Sequence, residues 1–404
     1  MLRQLFIVGL FLSSCLCTAE LKAQEGNKLD ASDYHILYSG LQNCKFRFET
    51  EKKGKVAFLG GSITYNSGWR DHVSDYLEKR FPKTDFEFIN AGIPSMGSTP
   101  AAFRLERDIL AYGRIDLLFE EAAVNDESNG RTSDEQINAM EGIVRHLRKS
   151  NPTMDIVFMY FVDPEKIDDY REGKEPDVIK NHKKVAEYYE IPEINLAKEV
   201  ADRIDNSEFT WDDDFINLHP SAFGQEIYAN SIIQFLEESF NKNTAINIEL
   251  INHELPYKLS SSCYDNGVLV NISSYETAKG WYIDPSWKPK DKAGVRKNYT
   301  KVPMLINSDA LKPISFEFEG NAIGISVAAG PDAGIIEYKI DESGWKALNL
   351  FTPWSEQLHL PWYYTLASGM SDEKHVLEIR ISEDKDVLSK GHVCRIRYFF
   401  VNRN

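Results

Sequence analysis

A serine stands directly after a short apolar run and two glycines, in the sequence Gly60-Gly61-Ser62. Residues 56–59 form the apolar run and are predicted to be a buried strand. Ligands of open α/β folds bind where parallel strands end, and two glycines allow the sharp turn that exposes a serine hydroxyl there. The pattern indicates a nucleophilic serine, although a serine that caps the next helix also fits this segment alone.

Two further segments carry groups that can stabilise a developing oxyanion. The second predicted strand ends in a loop of small residues with Ser95 and Gly97, whose backbone N–H groups are open to a ligand. The third strand ends before Asn125-Asp126, where an asparagine amide can point to the same place. Taken alone, each segment also fits an ordinary loop or a turn.

A histidine precedes the last predicted helix of this region, in Leu218-His219-Pro220. His219 can accept the proton of Ser62 there, whereas a structural role is the alternative. The serine and the oxyanion donors follow strands of one predicted sheet, and the histidine comes after them in the chain. All of them can therefore meet at one sheet edge, which is the arrangement that acyl transfer requires.

The elements that position these residues alternate between strands and helices over residues 55–245. Strands are predicted at 56–59, 86–90, 115–119, 155–161 and 193–195, and helices at 69–81, 101–111, 133–149, 178–189 and 222–240. This alternation predicts a parallel sheet covered by helices on both faces. The preceding segment, 24–54, is predicted to be strand-like.

From residue 246 onward the apolar residues recur at every second position, as in 314–318 and 376–380. Gly, Asp and Asn separate several of these runs. The pattern predicts a second domain at 246–404, an antiparallel, jelly-roll-like β-sandwich. A chain of 404 residues agrees with two domains, because single cores rarely exceed about 250–300 residues.

Four short blocks occur in the order that is typical of the SGNH (GDSL-like) hydrolase superfamily, and the chain resembles it in Gly60-Gly61-Ser62, the Gly97 loop, Asn125-Asp126 and His219-Pro220. The resemblance implies a flavodoxin-like three-layer domain with about five parallel strands. It also implies Ser62 as nucleophile and His219 as general base. The implied oxyanion hole consists of Asn125 with the backbone amides of Ser62 and of Ser95 or Gly97.

The chain departs from this superfamily at one position. An aspartate usually stands three residues before the histidine, where this chain has Ile216. Residues 212–214 are all aspartates, and Asp214 is our candidate for the missing acid, with Asn217 also nearby. A backbone carbonyl that orients His219 is the alternative, and a Ser–His dyad retains catalysis without the acid.

The first 23 residues resemble a signal peptide, with one basic residue before a short apolar run and possible cleavage after Ala19 or Ala23. The residues that end at Cys15 also resemble a lipobox, which would place a lipid anchor there. No segment is apolar for long enough to cross a membrane. We expect a secreted or periplasmic protein, or a cell-surface lipoprotein.

Charge and cysteine content restrict the partners. The net charge of −16 disfavours nucleic acid, and it disfavours a polyanionic substrate unless a local basic cleft reverses the effect. Cys44, Cys263 and Cys394 show no CxxC pair, which excludes a zinc knuckle. They form either one disulfide or three buried thiols. We expect no metal and no other cofactor.

The predicted substrate is an acylated oligo- or polysaccharide, and the predicted activity is O-deacetylation. The resemblance extends over the whole chain to secreted two-domain SGNH proteins that degrade polysaccharides. Residues 350–364 are rich in aromatic rings, which stack on sugars when they are exposed and otherwise belong to the core. The alternatives are an esterase acting on pectic methyl esters, lipids or thioesters, and a non-catalytic carbohydrate-binding protein.

Overall fold

A computed structural model describes residues 28–242, 249–272, 280–309 and 313–403. An α/β domain is followed by a domain of antiparallel sheets, which confirms the predicted fold class. The predicted signal peptide, including Cys15, lies outside the described residues. Within them, no helix is both long and apolar enough to cross a membrane.

The sheet of the α/β domain has six strands in the spatial order β1-β6-β5-β4-β2-β3. Their bounds are β1 (His35–Ile36), β2 (Lys53–Gly60), β3 (Asp85–Gly92), β4 (Leu117–Glu120), β5 (Asp155–Met159) and β6 (Glu193–Ile194). Strands β2 to β6 run parallel, and β1 pairs antiparallel with β6. The parallel strands follow the flavodoxin-like order, in which ligands bind beyond the carboxyl ends of the first and third strands, here β2 and β4.

Helices form the layers around this sheet, as the alternation predicts. They are α1 (Gln42–Phe46), α2 (Ser62–Tyr65), α3 (Trp69–Arg80), α4 (Ser98–Asp108), α5 (Ala123–Ser128), α6 (Ser133–Ser150), α7 (Pro164–Arg171), α8 (Asp177–Tyr189), α9 (Leu196–Asp205) and α10 (Ala222–Asn241). Helix α3 packs against α10, whereas α6 packs against both α4 and α8. The sequence analysis did not predict the short helices α1, α2, α5 and α7, nor α9.

Large aromatic side chains fill the core beneath the carboxyl edge of the sheet. Phe58 of β2 stacks on Phe119 of β4, with ring centroids 5.5 Å apart. The indole of Trp69 packs edge-on against Phe58 and Phe161 and is fully buried. Close packing of this kind holds the ends of β2 and β4 in fixed positions.

The segment before β2 corrects the expectation of strand-like structure. Over its described part, residues 28–54, the strand β1 has two residues, and most of the rest forms helical turns, including α1. Leu41, Cys44 and Phe48 are buried and recur at helical spacing, so one face of a helix packs on the α/β domain. This spacing of three and four residues was available in the sequence.

The second domain has two packed sheets. The larger follows the order β8-β10-β17-β12-β15-β9, with β7 on β17, and the smaller follows β11-β16-β13-β14. Bounds are β7 (Gly267–Asn271), β8 (Tyr282–Trp287), β9 (Gly294–Val295), β10 (Val302–Asn307), β11 (Ile314–Glu319), β12 (Ala322–Ala329), β13 (Ile335–Ile340), β14 (Lys346–Asn349), β15 (Leu358–Ser368), β16 (Lys374–Ile381) and β17 (Cys394–Asn402). Only β9, among the described strands of this domain, pairs parallel, with β15.

An apolar interface fixes the second domain on the first. The ring of Phe103 in α4 lies 4.9 Å from that of Tyr264 and 4.5 Å from that of Phe400 in β17, between centroids. Arg131 donates a hydrogen bond of 2.7 Å to the carbonyl of Tyr363 in β15. One hydrophobic cluster therefore continues from the α/β domain into the sandwich.

Of the two alternatives for the cysteines, the described residues show three buried thiols and no disulfide. Cys44, Cys263 and Cys394 are free and lie in the interior. Burial raises the pKa of Cys263 and of Cys394 to about 12, so both remain protonated and behave as small apolar side chains.

Candidate active site

Ser62 lies at the carboxyl edge of the sheet, where β2 ends and α2 begins. Its Oγ is 2.7 Å from Nε2 of His219, which reaches the same edge from a position 157 residues later. Gly61, and not Ser62, occupies the N-cap position of α2. The Ser62 hydroxyl is therefore free of the capping role that the sequence left open, and it pairs with the imidazole.

Asn125 in α5 reaches the turn that carries Ser62. A Cβ atom at Gly61 would overlap Oδ1 of Asn125, so the asparagine side chain occupies the space that the glycine leaves open. This close approach is possible only because residue 61 has no side chain. The structure thus brings Asn125 from the end of β4 to the Gly61–Ser62 turn, at the carboxyl edge of the sheet where ligands bind in this fold.

The loop with Ser95 and Gly97 borders the same site. Ser95 has a left-handed backbone with φ of 71°, and the side-chain amide of Asn129 donates a hydrogen bond of 3.1 Å to the Ser95 carbonyl. Gly97 packs so tightly on Asp126 that a Cβ atom there would overlap its carboxylate. Both contacts hold this loop against α5, which also carries Asn125.

Several N–H groups at this edge have no acceptor among the described residues. They are the backbone N–H groups of Ser62, Ser95 and Gly97 and the side-chain amide of Asn125. Ser95 is partly exposed whereas Gly97 is buried, which favours Ser95 as the donor that a substrate reaches. Unpaired N–H groups beside a serine hydroxyl are what an oxyanion hole requires.

His219 lies on an exposed loop before α10, and its backbone N–H donates a hydrogen bond of 2.8 Å to Oδ1 of Asn217. Partial burial, and then the positive charge of Arg296, lower the pKa of the imidazole below its usual value. A histidine with a lowered pKa is neutral at pH 7, so it can accept the proton of Ser62.

Asp214 does not contact the imidazole. Its carboxylate accepts hydrogen bonds from the backbone N–H and the hydroxyl of Thr210, at 2.7 and 3.1 Å. Ile216, which stands where the acid was expected, has a left-handed backbone and is 48% exposed. The wide helical turn over Trp211–Phe215 directs Asp214 back to its own loop. The structure therefore does not support Asp214 as the acid that orients His219.

Within the described residues, Nδ1 of His219 has no hydrogen-bond partner. Neither an aspartate nor the alternative backbone carbonyl orients the ring from this side. The structure therefore shows a hydrogen-bonded Ser–His pair beside three backbone N–H groups and one side-chain amide.

Two features of the site escaped the sequence analysis. Asp126 is fully buried, accepts a hydrogen bond of 2.8 Å from the Ser98 N–H and lies 2.9 Å from Nε2 of His182. Arg296, from the second domain, places its charge near His219. Asp126 follows Asn125 directly, so its motif was visible, whereas nothing in the sequence around Arg296 indicates a contact with the first domain.

The described residues include no group of three or more His, Cys, Asp or Glu side chains that could hold a metal ion. Lys166 is a buried charge near α5, and it is paired with Asp163 and Glu127. Its ammonium group is therefore already bonded to two carboxylates.

The fold and this edge of the sheet define a flavodoxin-like α/β domain with a hydrogen-bonded serine–histidine pair at the carboxyl ends of its strands. Residues 58–227 match the GDSL-like Lipase/Acylhydrolase family. This match covers most of the α/β domain, and it confirms the resemblance and the prediction of an enzyme that hydrolyses ester bonds. A comparison with curated proteins gives no match.

Two solved structures of a two-domain esterase share the fold at low sequence identity. A two-domain esterase (CEX) active on acetylated mannans, crystallised with mannopentaose, is 20% identical with a TM-score of 0.72 over 92% of this chain and 98% of that chain. Another crystal structure of a two-domain esterase (CEX) active on acetylated mannans is 19% identical, with a TM-score of 0.74 over 93% of this chain and 99% of that chain. Axe2, an acetylxylan esterase from Geobacillus stearothermophilus, is 17% identical, with a TM-score of 0.37 over 45% and 94%.

Proposed function

We propose that the protein is an exported serine esterase that removes O-acetyl groups from carbohydrates. The observation that carries the proposal is the 2.7 Å contact between Ser62 Oγ and His219 Nε2, beside unpaired N–H donors. Similarity in fold over both domains to an esterase active on acetylated mannans supports the choice of a carbohydrate ester.

The first step forms an acyl-enzyme. His219 accepts the proton of Ser62 as the oxygen attacks the ester carbonyl, and the carbonyl oxygen becomes an oxyanion. The amides of Ser62 and Ser95, with the Asn125 side chain, donate hydrogen bonds to it. Removing one such donor typically lowers kcat by about 10²–10³-fold. The C–O bond to the sugar then breaks, and the imidazolium gives its proton to the departing sugar oxygen.

Water completes the cycle by the same groups. His219 removes a proton from water as it attacks the acyl carbonyl, and the second oxyanion forms in the same hole. When this intermediate breaks down, the proton returns to Ser62 and the acid leaves. No step needs an aspartate, because a neutral imidazole is already hydrogen-bonded to the serine.

One aromatic ring of residues 350–364 is exposed enough to stack on a sugar. Trp354 is 42% exposed and packs on Trp362, whereas Trp362 itself and Tyr363 are buried. Of the aromatic stretch, Trp354 is therefore the ring that a sugar can reach, and most of the others belong to the core.

For export we propose either cleavage of the first 23 residues or a lipid on Cys15. The mass of the amino-terminal peptide of the mature protein distinguishes these two alternatives.

Acetate release tests the proposal. We expect wild-type protein to release acetate from acetylated xylan, mannan or pectin, and Ser62→Ala to release none. Ser74→Ala is the matched control, because its hydroxyl bonds only the Arg70 carbonyl of its own helix.

The other candidate activities give different outcomes in the same assay. Release of methanol without acetate would indicate a pectin methylesterase. Activity confined to long-chain aryl esters would indicate a lipid substrate, and activity confined to thioesters a thioesterase. No hydrolysis even of 4-nitrophenyl acetate would favour a non-catalytic carbohydrate-binding protein.

A further inference from the structure

Glu121 connects the strand that leads to Ser62 with the helix that carries Asn125. It directly follows β4, and its backbone N–H donates a hydrogen bond of 3.1 Å to the carbonyl of Leu59 in β2. Oε1 of its side chain accepts a hydrogen bond of 3.1 Å from the N–H of Val124 in α5. Glu121 therefore bonds both pieces of chain, three residues before Ser62 in one and one residue before Asn125 in the other.

Helix α5 depends on contacts from outside to begin where it does. It has only six residues, and a helix of that length is not stable in isolation. Ala122 occupies its N-cap position and has no side-chain oxygen that could accept a hydrogen bond. Val124 is buried, and the carboxyl group of Glu121 is the acceptor for its N–H. Glu121 therefore does for α5 what a capping side chain normally does.

The burial of Glu121 is more than capping requires. Only 1% of the residue is exposed. Burial raises the pKa of its carboxyl group to about 7, against the opposing effects of the Val124 N–H and of the positive charge of Lys166. A buried carboxyl group is unfavourable unless its contacts compensate, and a serine or asparagine in place of Ala122 would cap the helix without this cost. A glutamate at this place therefore indicates a role beyond the stability of α5.

The other anchors of α5 follow Asn125 in the chain. Asp126 is bonded to the start of α4 and to α8, and Glu127 is paired with Lys166 of α7. Glu121 provides the anchor before it, so the asparagine lies between bonds on both sides. Loss of the earlier bond would release the first turn of α5 and with it the direction of the asparagine amide.

We propose that Glu121 is a positioning residue of the esterase, which joins the chain before Ser62 to the chain before Asn125 and so holds their N–H groups where both can donate to one oxyanion. This inference rests on the proposed function. Glu121 acts through Asn125 and transfers no proton itself. An oxyanion donor is effective only when surrounding bonds hold it in place before the reaction begins.

A double-mutant cycle with 4-nitrophenyl acetate tests the inference. We expect Asn125→Ala to lower kcat by about 10²–10³-fold, as removal of an oxyanion donor typically does. Glu121→Met removes the acceptor for the Val124 N–H, and we expect kcat to fall by about tenfold or more with little change in KM. In the Asn125→Ala background the same change should lower kcat by less than about twofold, because the group that Glu121 positions is already absent.

Three further variants separate positioning from folding. Glu121→Gln keeps an oxygen that can accept the Val124 N–H, as both the neutral and the ionised carboxyl group can, so kcat should stay close to the wild-type value. Glu120→Met is the matched control, because Glu120 is equally buried and its Oε1 has no hydrogen-bond partner among the described residues. Thermal unfolding shows which variants are folded. If Glu121→Met does not fold, Glu121→Asp, whose carboxyl group is one carbon closer to the backbone, should show the same coupling with Asn125.

The outcomes separate this inference from the proposed function. If wild type does not hydrolyse 4-nitrophenyl acetate, the esterase function itself fails. If wild type hydrolyses it but Glu121→Met lowers kcat equally with and without Asn125, or lowers only the unfolding temperature, the positioning role is overturned. It is also overturned if Glu121→Gln loses as much kcat as Glu121→Met, because the bond to Val124 would then not be the cause.

Discussion

At the scale of single residues, the site holds a serine–histidine pair, and no acidic side chain among the described residues orients the histidine. Ser62 and His219 are hydrogen-bonded, and the side of the imidazole that an aspartate would occupy has no partner among the described residues. Oxyanion donors and a correctly placed base retain much of the catalysis of a full triad. The catalytic roles of these residues stay predictions that the following changes test.

Asp214→Ala distinguishes a dyad from a triad. Because the Asp214 carboxylate bonds Thr210 and not His219, we expect kcat for acetate release to fall by less than about tenfold, whereas loss of a triad aspartate costs about 10⁴-fold. Asp213→Ala, in the same exposed loop, is the matched control. A loss of several thousandfold for Asp214→Ala alone would show that this carboxylate reaches the histidine during the reaction.

The pH dependence of the reaction reports the environment of His219. The imidazole must be neutral to act as a base, so kcat/KM rises with pH as it loses its proton. Burial and Arg296 lower its pKa, and we therefore expect the midpoint of this rise below the usual value of about 6.5. A profile with 4-nitrophenyl acetate, corrected with Ser62→Ala, measures it. A midpoint at or above 6.5 would contradict the electrostatics of the site.

At the scale of elements, two of the three pieces of chain that carry the proposed oxyanion donors are joined by Asp126. Its carboxylate accepts the Ser98 N–H at the start of α4 and pairs with His182 of α8, while the residue itself belongs to α5. A buried carboxylate with two such partners fixes the distance between Asn125 and the Ser95 loop.

Asp126→Ala should therefore impair both stability and rate. Breaking a buried pair by removing one partner costs about 3–5 kcal/mol, and we expect a loss of that size in the free energy of unfolding by urea. At temperatures where the variant is folded, kcat should fall while KM changes little, because the oxyanion donors act in the transition state. Asp134→Ala, exposed in the first turn of α6, is the control. An equal loss in both variants would remove this role from Asp126.

Sequence patterns predicted most of these elements but not all of their contacts. The strand β2, the helix α10 and the order of motifs indicated that Ser62, Asn125 and His219 share one edge, because parallel strands end together. The conformation of residues 211–216, which turns Asp214 away, depends on local packing that periodicity does not report. Arg296 reaches the site through the docking of two domains, so no local pattern could reveal it.

At the scale of the whole molecule, the two domains share one hydrophobic cluster. Phe103 of the first domain lies between Tyr264 and Phe400, and the segment with Arg296 is anchored on the same sandwich. The second domain therefore enlarges the core of the first, and the charge of its Arg296 lowers the pKa of His219.

Phe103→Ala tests how strongly the domains are coupled. We expect wild type to unfold in one calorimetric transition, and the variant to lose about 3–5 kcal/mol and to separate into two transitions, because a buried ring at the interface is removed. Phe316→Ala, inside the sandwich core, should lower the stability without separating the transitions. Two well-separated transitions in wild type would show that the interface contributes little.

Covalent labelling by a fluorophosphonate tests the central claim most directly, because the reagent reacts only with an activated serine in a formed active site. Peptide mass spectrometry should find the label on Ser62 in wild type and none in Ser62→Ala, with labelling slowed strongly in His219→Ala. Absence of label in folded wild-type protein, or a label on another serine, would contradict the assignment of Ser62 and His219 as the catalytic pair.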